Sequence, residues 1–65
     1  MNIKVNGKME EIRPCSIHEF IAGKGLNPQS VVVEHNFEIV RREKWKETQL
    51  GDNDNLEILS FVGGG

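Results

Sequence analysis

The sequence predicts an α+β roll, one mixed sheet of four to five strands with a single main helix packed across one face. Three observations carry that expectation. An Asn6-Gly7 pair splits two short alternating runs near the N-terminus, as a tight hairpin would. A helix-start signature follows at positions 16–19, and two β-branched stretches and a closing apolar run come after it. A hairpin, then one helix, then further strands leaves the helix a single sheet face to cover.

Each element has its own local reason. In "NIKVNGKMEEIRP", Ile3 and Val5 alternate with polar neighbours, and the run resumes after the turn with Met9 and Ile12. Asn and Gly both tolerate the positive φ of a type I′ turn, so strands 1 and 2 are expected to pair antiparallel. Pro14 ends the second strand, and Ser16-Ile17-His18-Glu19 then fits a capping box, in which hydroxyl and carboxylate satisfy amides that a helix start leaves unpaired. Ile17, Phe20 and Ile21 follow i, i+3, i+4 spacing, and Gly23 and Gly25 supply end signals, giving a helix of two to three turns from Ile17. "VVVEH" from Val31 reads as a buried central strand, and Ile39 and Val40 form a second short one after the turn-prone Asn36. "RREKWKETQ" reads as a loop or one helical turn pinned by Trp45, and "GDNDN" is dense turn chemistry. In "LEILSFV", Leu56, Ile58 and Val62 occupy one face and Leu59 and Phe61 the other. Strand 1 is expected beside this last strand in the middle of the sheet, which is the β-grasp arrangement. Residues 1–62 then form the domain, and residues 63–65 a flexible C-terminal glycine tail.

Composition excludes several classes of function. A chain of 65 residues makes one domain, burying only about 60% of the surface that it exposes when unfolded, so an enclosed active site has little room. With 37% hydrophobic and 28% charged residues it reads as globular. Eight basic residues scattered among ten acidic ones, net charge −2, form no stripe for a phosphate backbone, so no nucleic-acid partner is expected. No apolar stretch approaches membrane-spanning length. The start, "MNIKVNGK", lacks the apolar segment of a secretory signal, and a single cysteine gives no disulfide framework. A cytoplasmic protein is the expectation.

The glycines after the closing strand are the chemically suggestive feature. Gly63, Gly64 and Gly65 have no Cβ, so they can lie extended in a very narrow channel of a partner. A terminal carboxylate on Gly65 is anionic at neutral pH and a poor electrophile until it is activated. Adenylation by ATP would convert it into a mixed anhydride, splitting one difficult step into two. The chain carries no phosphate-binding loop, so a separate enzyme is expected to use the ATP, with no stably bound cofactor and no catalytic residue here.

These features together resemble the ubiquitin-like sulfur carriers, and most closely the ThiS family. The resemblance covers nearly the whole chain. "NFEIVRREKW" is similar to the family's pattern of Asn, a short gap, Ile-Val, then Arg and Trp, and "LGDNDNLEILSFVGGG" to its Asp-rich turn, closing strand and Gly-Gly terminus. Arg41 stands where many members have proline, Asn53 where a glycine is common, and Gly63 adds a third glycine. The resemblance implies that a ThiF-like adenylating enzyme joins Gly65 to AMP. Sulfur that originates from cysteine, delivered by a donor system, then displaces the AMP to leave a thiocarboxylate. A ThiG-like thiazole synthase would take up that sulfur in building the thiazole of thiamine, which makes the chain a cosubstrate. Two alternatives share the fold: the small subunit of molybdopterin synthase, and a ubiquitin-like interaction module or conjugated modifier.

The remaining notable residues have simpler readings. Cys15, one position before the helix cap, is expected to staple onto Phe20. Cys15 and His18 have C-x-x-H spacing, but a structural zinc takes four ligands and only His35 and acids remain, so no metal is expected. Trp45 is expected in a satellite core, and Arg41, Arg42, Lys44 and Lys46 on a solvated face that could meet an acidic partner. Leu59 and Phe61, on the face that the helix leaves open, are the expected docking residues.

Overall fold

The structure, a computed structural model, describes residues 1–61. Strands β1 (Asn2–Val5) and β2 (Lys8–Glu11) form the expected hairpin, with Val5 opposite Lys8 and Asn2 opposite Glu11. Asn6 and Gly7 both take positive φ, at 50° and 85°, as a type I′ turn requires. Met9 is 60% exposed because it shares the outer face with its partner Lys4, and the strand stops at Glu11, leaving Ile12 half-buried beyond its end.

Helix α1 (Ile17–Gly23) opens on the predicted capping box: the Ser16 hydroxyl accepts from the Glu19 amide at 3.1 Å and the Glu19 carboxylate accepts from the Ser16 amide at 2.8 Å. Its end is a Schellman turn, with the Leu26 amide bonded to the Ile21 carbonyl, the Gly25 amide to the Ala22 carbonyl, and Gly25 at φ +71°. A short 3₁₀ turn at Pro28–Ser30 leads into β3 (Val31–His35). An Asn36-Phe37 turn with φ of 51° and 73° leads on to β4 (Glu38–Val40). A 3₁₀ helix at Arg42–Glu47 and a polar turn then precede β5 (Asn55–Ser60).

The five strands lie in the order β2-β1-β5-β3-β4, so the closing strand is central and runs parallel to β1, antiparallel to β3. Ile3, Val31, Val33 and Leu56 from the sheet meet Ile17, Phe20 and Ile21 from α1, and Trp45 and Leu50 close the core. Trp45 is therefore a principal core residue at 1% exposure, where the sequence suggested a satellite. Its indole NH donates to the Val40 carbonyl at 2.9 Å, which meets the polar requirement of a buried indole. Cys15 packs partly buried at the core margin. Val62, expected on the core face, and the boundary between it and Gly63 lie outside the described residues.

Candidate functional site

Strand β5 runs through the sheet's centre, and its alternation sorts the side chains. Leu56 is fully buried and Ile58 packs against the core, whereas Leu59 and Phe61 are 52% and 47% exposed. Leu59 lies opposite Val32 and Glu57 opposite Glu34 in the β3 register, and Ile39 of β4 lies opposite Glu34. The face turned away from α1 therefore carries Leu59, Phe61, Val32 and Ile39 around a directly opposed Glu34–Glu57 pair. The structure brings the two predicted docking residues together on an open face. Gly63, Gly64 and Gly65 lie outside the described residues.

Backbone pairing of β5 is completed by a side chain. β1 supplies only Lys4 and Val5 to the parallel ladder, then turns away at Asn6. The Asn6 amide nitrogen donates to the Ile58 carbonyl at 3.2 Å and its amide oxygen accepts from the Ile58 NH at 2.7 Å. One side chain thus replaces a strand residue. The sequence identified Asn6 as a turn former, and nothing in its local pattern pointed to a partner so distant in the chain.

At the opposite end of β5 a second polar cluster fixes the Asp-rich turn. His35 Nε2 lies 2.6 Å from Asp54 Oδ2, which also accepts from the Gly51 amide at 2.7 Å, while Asp54 Oδ1 accepts from the Asn36 side chain at 3.2 Å. Burial alone would raise the Asp54 pKa, but the hydrogen bonds from His35, Gly51 and Asn36 outweigh it and hold the carboxyl below its ordinary value. The Asn2 amide donates to Asp52, and the Asn53 amide donates back to the Asn2 carbonyl. The turn is thereby tied to the start of β1, which fixes the register of the two parallel strands.

Cys15 lines a groove of about 260 Å³ between the end of β2 and α1, with Ile12, Arg13, Phe20 and Lys24. Burial pushes the Cys15 thiol pKa up and the Glu19 carboxylate adds to the rise. A thiol held protonated is a weak nucleophile, and the groove lies on the helix side, away from Leu59 and Phe61. Among the described residues no group of three or more His, Cys, Asp or Glu could hold a metal ion. Arg42 donates to Gln29 at 2.9 Å, and Arg41, Lys44 and Lys46 are exposed with it. Among the described residues no helix is long and apolar enough to cross a membrane.

A mixed five-stranded sheet with its last strand central and parallel to its first, crossed by one helix, defines a β-grasp protein, here with glycines following the central strand. The chain belongs to the ThiS family, whose model matches residues 3–65. It is 42% identical to the sulfur carrier protein ThiS of Bacillus subtilis over 65 residues, covering 97% of this chain and 98% of that protein. The crystal structure of the thiamine biosynthesis protein ThiS from Geobacter metallireducens superposes over all of both chains with a TM-score of 0.87 at 33% identity. The thiazole synthase of Paramagnetospirillum magneticum is 33% identical over the whole of this chain, which spans only 20% of that protein's length.

Proposed function

We infer that the chain is a sulfur carrier of thiamine biosynthesis, working through a carboxylate on Gly65. The observation that carries this reading is the match to the Bacillus sulfur carrier over nearly the full length of both proteins. The family match also runs through Gly65.

In this mechanism the Gly65 carboxylate attacks the α-phosphorus of ATP on a ThiF-like adenylating enzyme, releasing pyrophosphate and leaving an acyl-adenylate. Sulfur at the sulfide level, delivered by the donor system, adds to the acyl carbon and AMP departs with the electron pair of the broken C–O bond, which leaves the thiocarboxylate. The domain supplies position: the chain leaves the central strand β5 toward the glycines in sequence, and Leu59 and Phe61 form the contact. Gly63 and Gly64 occupy the enzyme's channel. The chain acts as a cosubstrate in the cytoplasm, and the chemistry belongs to its partners.

The acceptor is a ThiG-like thiazole synthase. Two thiazole synthases, from Paramagnetospirillum magneticum and Magnetococcus marinus, each match the whole of this chain over a fifth of their own length. A carrier-like segment joined to a thiazole synthase favours that acceptor over molybdopterin synthase. Intact mass after incubation with ATP, a ThiF-type enzyme and a sulfur source tests the reading. The expected gain is that of one oxygen replaced by sulfur, confined to the C-terminal fragment. An unchanged mass, or an adduct on a lysine of another protein, overturns it.

A further inference from the structure

The pairing pattern of β5 leaves one backbone edge open where the carrier must meet an enzyme. The Phe61 amide bonds to the Ser30 carbonyl and the Asn36 amide to the Asn55 carbonyl, so alternate residues of β5 point their backbone groups at β3. In the antiparallel register those are Asn55, Glu57, Leu59 and Phe61. Leu56, Ile58 and Ser60 therefore point theirs to the other side. There the Leu56 carbonyl accepts from the Asn6 amide, and the Asn6 side chain takes both groups of Ile58. β1 contributes nothing beyond Val5. Among the described residues, nothing pairs with the NH and carbonyl of exposed Ser60 on that side.

We propose that the Ser60 edge is a strand-addition site, where the adenylating enzyme pairs an extended segment of its own backbone with the carrier's central strand. This rests on the reading of Gly65 as the reacting residue. Gly65 lies five residues past Ser60, so even a fully extended chain puts the enzyme's reacting centre within about 18 Å of it. An enzyme that reaches Gly65 and covers Leu59 and Phe61 therefore comes down over this edge. Buried backbone groups must find partners, and the outward NH and carbonyl of a strand are best met by another strand. Asn6 sets the limit of the site by closing the edge at Ile58, so the added strand meets the carrier at Ser60.

Ser60→Pro tests this directly, because proline removes the outward NH while the backbone bonds to β3, made by Leu59 and Phe61 rather than Ser60, are left in place. The variant is expected to keep the wild-type melting profile yet fall about tenfold or more below Ser60→Ala, which retains the NH, in kcat/KM for ATP-pyrophosphate exchange with a purified ThiF-type enzyme. Equal values for the two variants overturn the proposal. Hydrogen exchange on the wild-type chain decides the matter should the proline variant fail to fold. The Ser60 amide is expected to exchange at least about tenfold more slowly in the complex than in the free carrier, and an unchanged rate overturns the site. Wild-type protein that supports no exchange of pyrophosphate would overturn the carrier reading itself, and the strand-addition site with it.

Discussion

The side-chain amide of Asn6 makes both of the hydrogen bonds to Ile58 that a neighbouring strand would have made, at 3.2 and 2.7 Å. The same residue holds φ at 50° to turn the hairpin. These two duties separate by mutation. Asn6→Gly keeps the backbone conformation and loses the amide, and each of the two exposed hydrogen bonds is worth about 0.5 to 1.5 kcal/mol net, so a loss of about 1 to 3 kcal/mol is expected. Asn6→Ala adds left-handed strain of about 1 to 2 kcal/mol. Urea unfolding of the two variants checks the order; Asn6→Ala as stable as Asn6→Gly would remove the strain argument.

Asp54 gives the fold a pH dependence of known sign. Its pKa is held below the ordinary value by His35, Gly51 and Asn36 against the opposing effect of burial. A depressed carboxyl stabilises the folded state above its unfolded pKa, and that contribution is lost as pH falls through the lower folded value. The wild type is therefore expected to lose stability below about pH 4, the ordinary aspartate range. Asp54→Asn should be less stable at neutral pH and show a shallower decline over that acid window. Parallel acid slopes for the two proteins, from denaturant midpoints at a series of pH values, would contradict this role.

Much of the fold was legible in the sequence because its signals are local. Asn6-Gly7 fixes a turn through φ, Ser16 and Glu19 fix a helix start through two hydrogen bonds, and Gly25 ends the helix at a positive φ. Leu59 and Phe61 could be placed on the outer face because a strand alternates strictly and one helix covers one side. What escaped depends on contacts distant in the chain. Nothing near Asn6 announces Ile58, 52 residues on, and nothing near His35 announces Asp54. Trp45 looked peripheral because its neighbours are charged; the 3₁₀ turn of Arg42–Glu47 points this one side chain inward and leaves the rest in water.

Docking through the outer face predicts a separation of binding from stability. Phe61 is 47% exposed and Leu56 fully buried. Phe61→Ala should weaken affinity for the adenylating enzyme by about 1 to 3 kcal/mol, as loss of an aromatic anchor does, with little effect on unfolding. Leu56→Ala should instead cost about 2 to 5 kcal/mol of stability. Calorimetric titration alongside thermal melts distinguishes the two. A Phe61→Ala protein that binds normally and melts early would place Phe61 in the fold's own packing.

The glycines predict a sharp steric requirement in the partner. Both steps of the proposed cycle use the Gly65 carboxyl, and an enzyme that encloses the residues before it can do so most closely where they lack a Cβ. Gly64→Leu should therefore abolish ATP-pyrophosphate exchange with a ThiF-type enzyme, while Gly64→Ala, adding one methyl group, should retain a measurable fraction. Deleting Gly65 should abolish exchange as completely, by shortening the chain and moving the carboxyl back one residue. All three changes lie beyond β5, so the far-UV spectrum and the melting temperature should match the wild type, and any loss then belongs to the reaction. Full exchange by Gly64→Leu would mean that the enzyme holds the chain in an open cleft, and the requirement for glycine would need another cause.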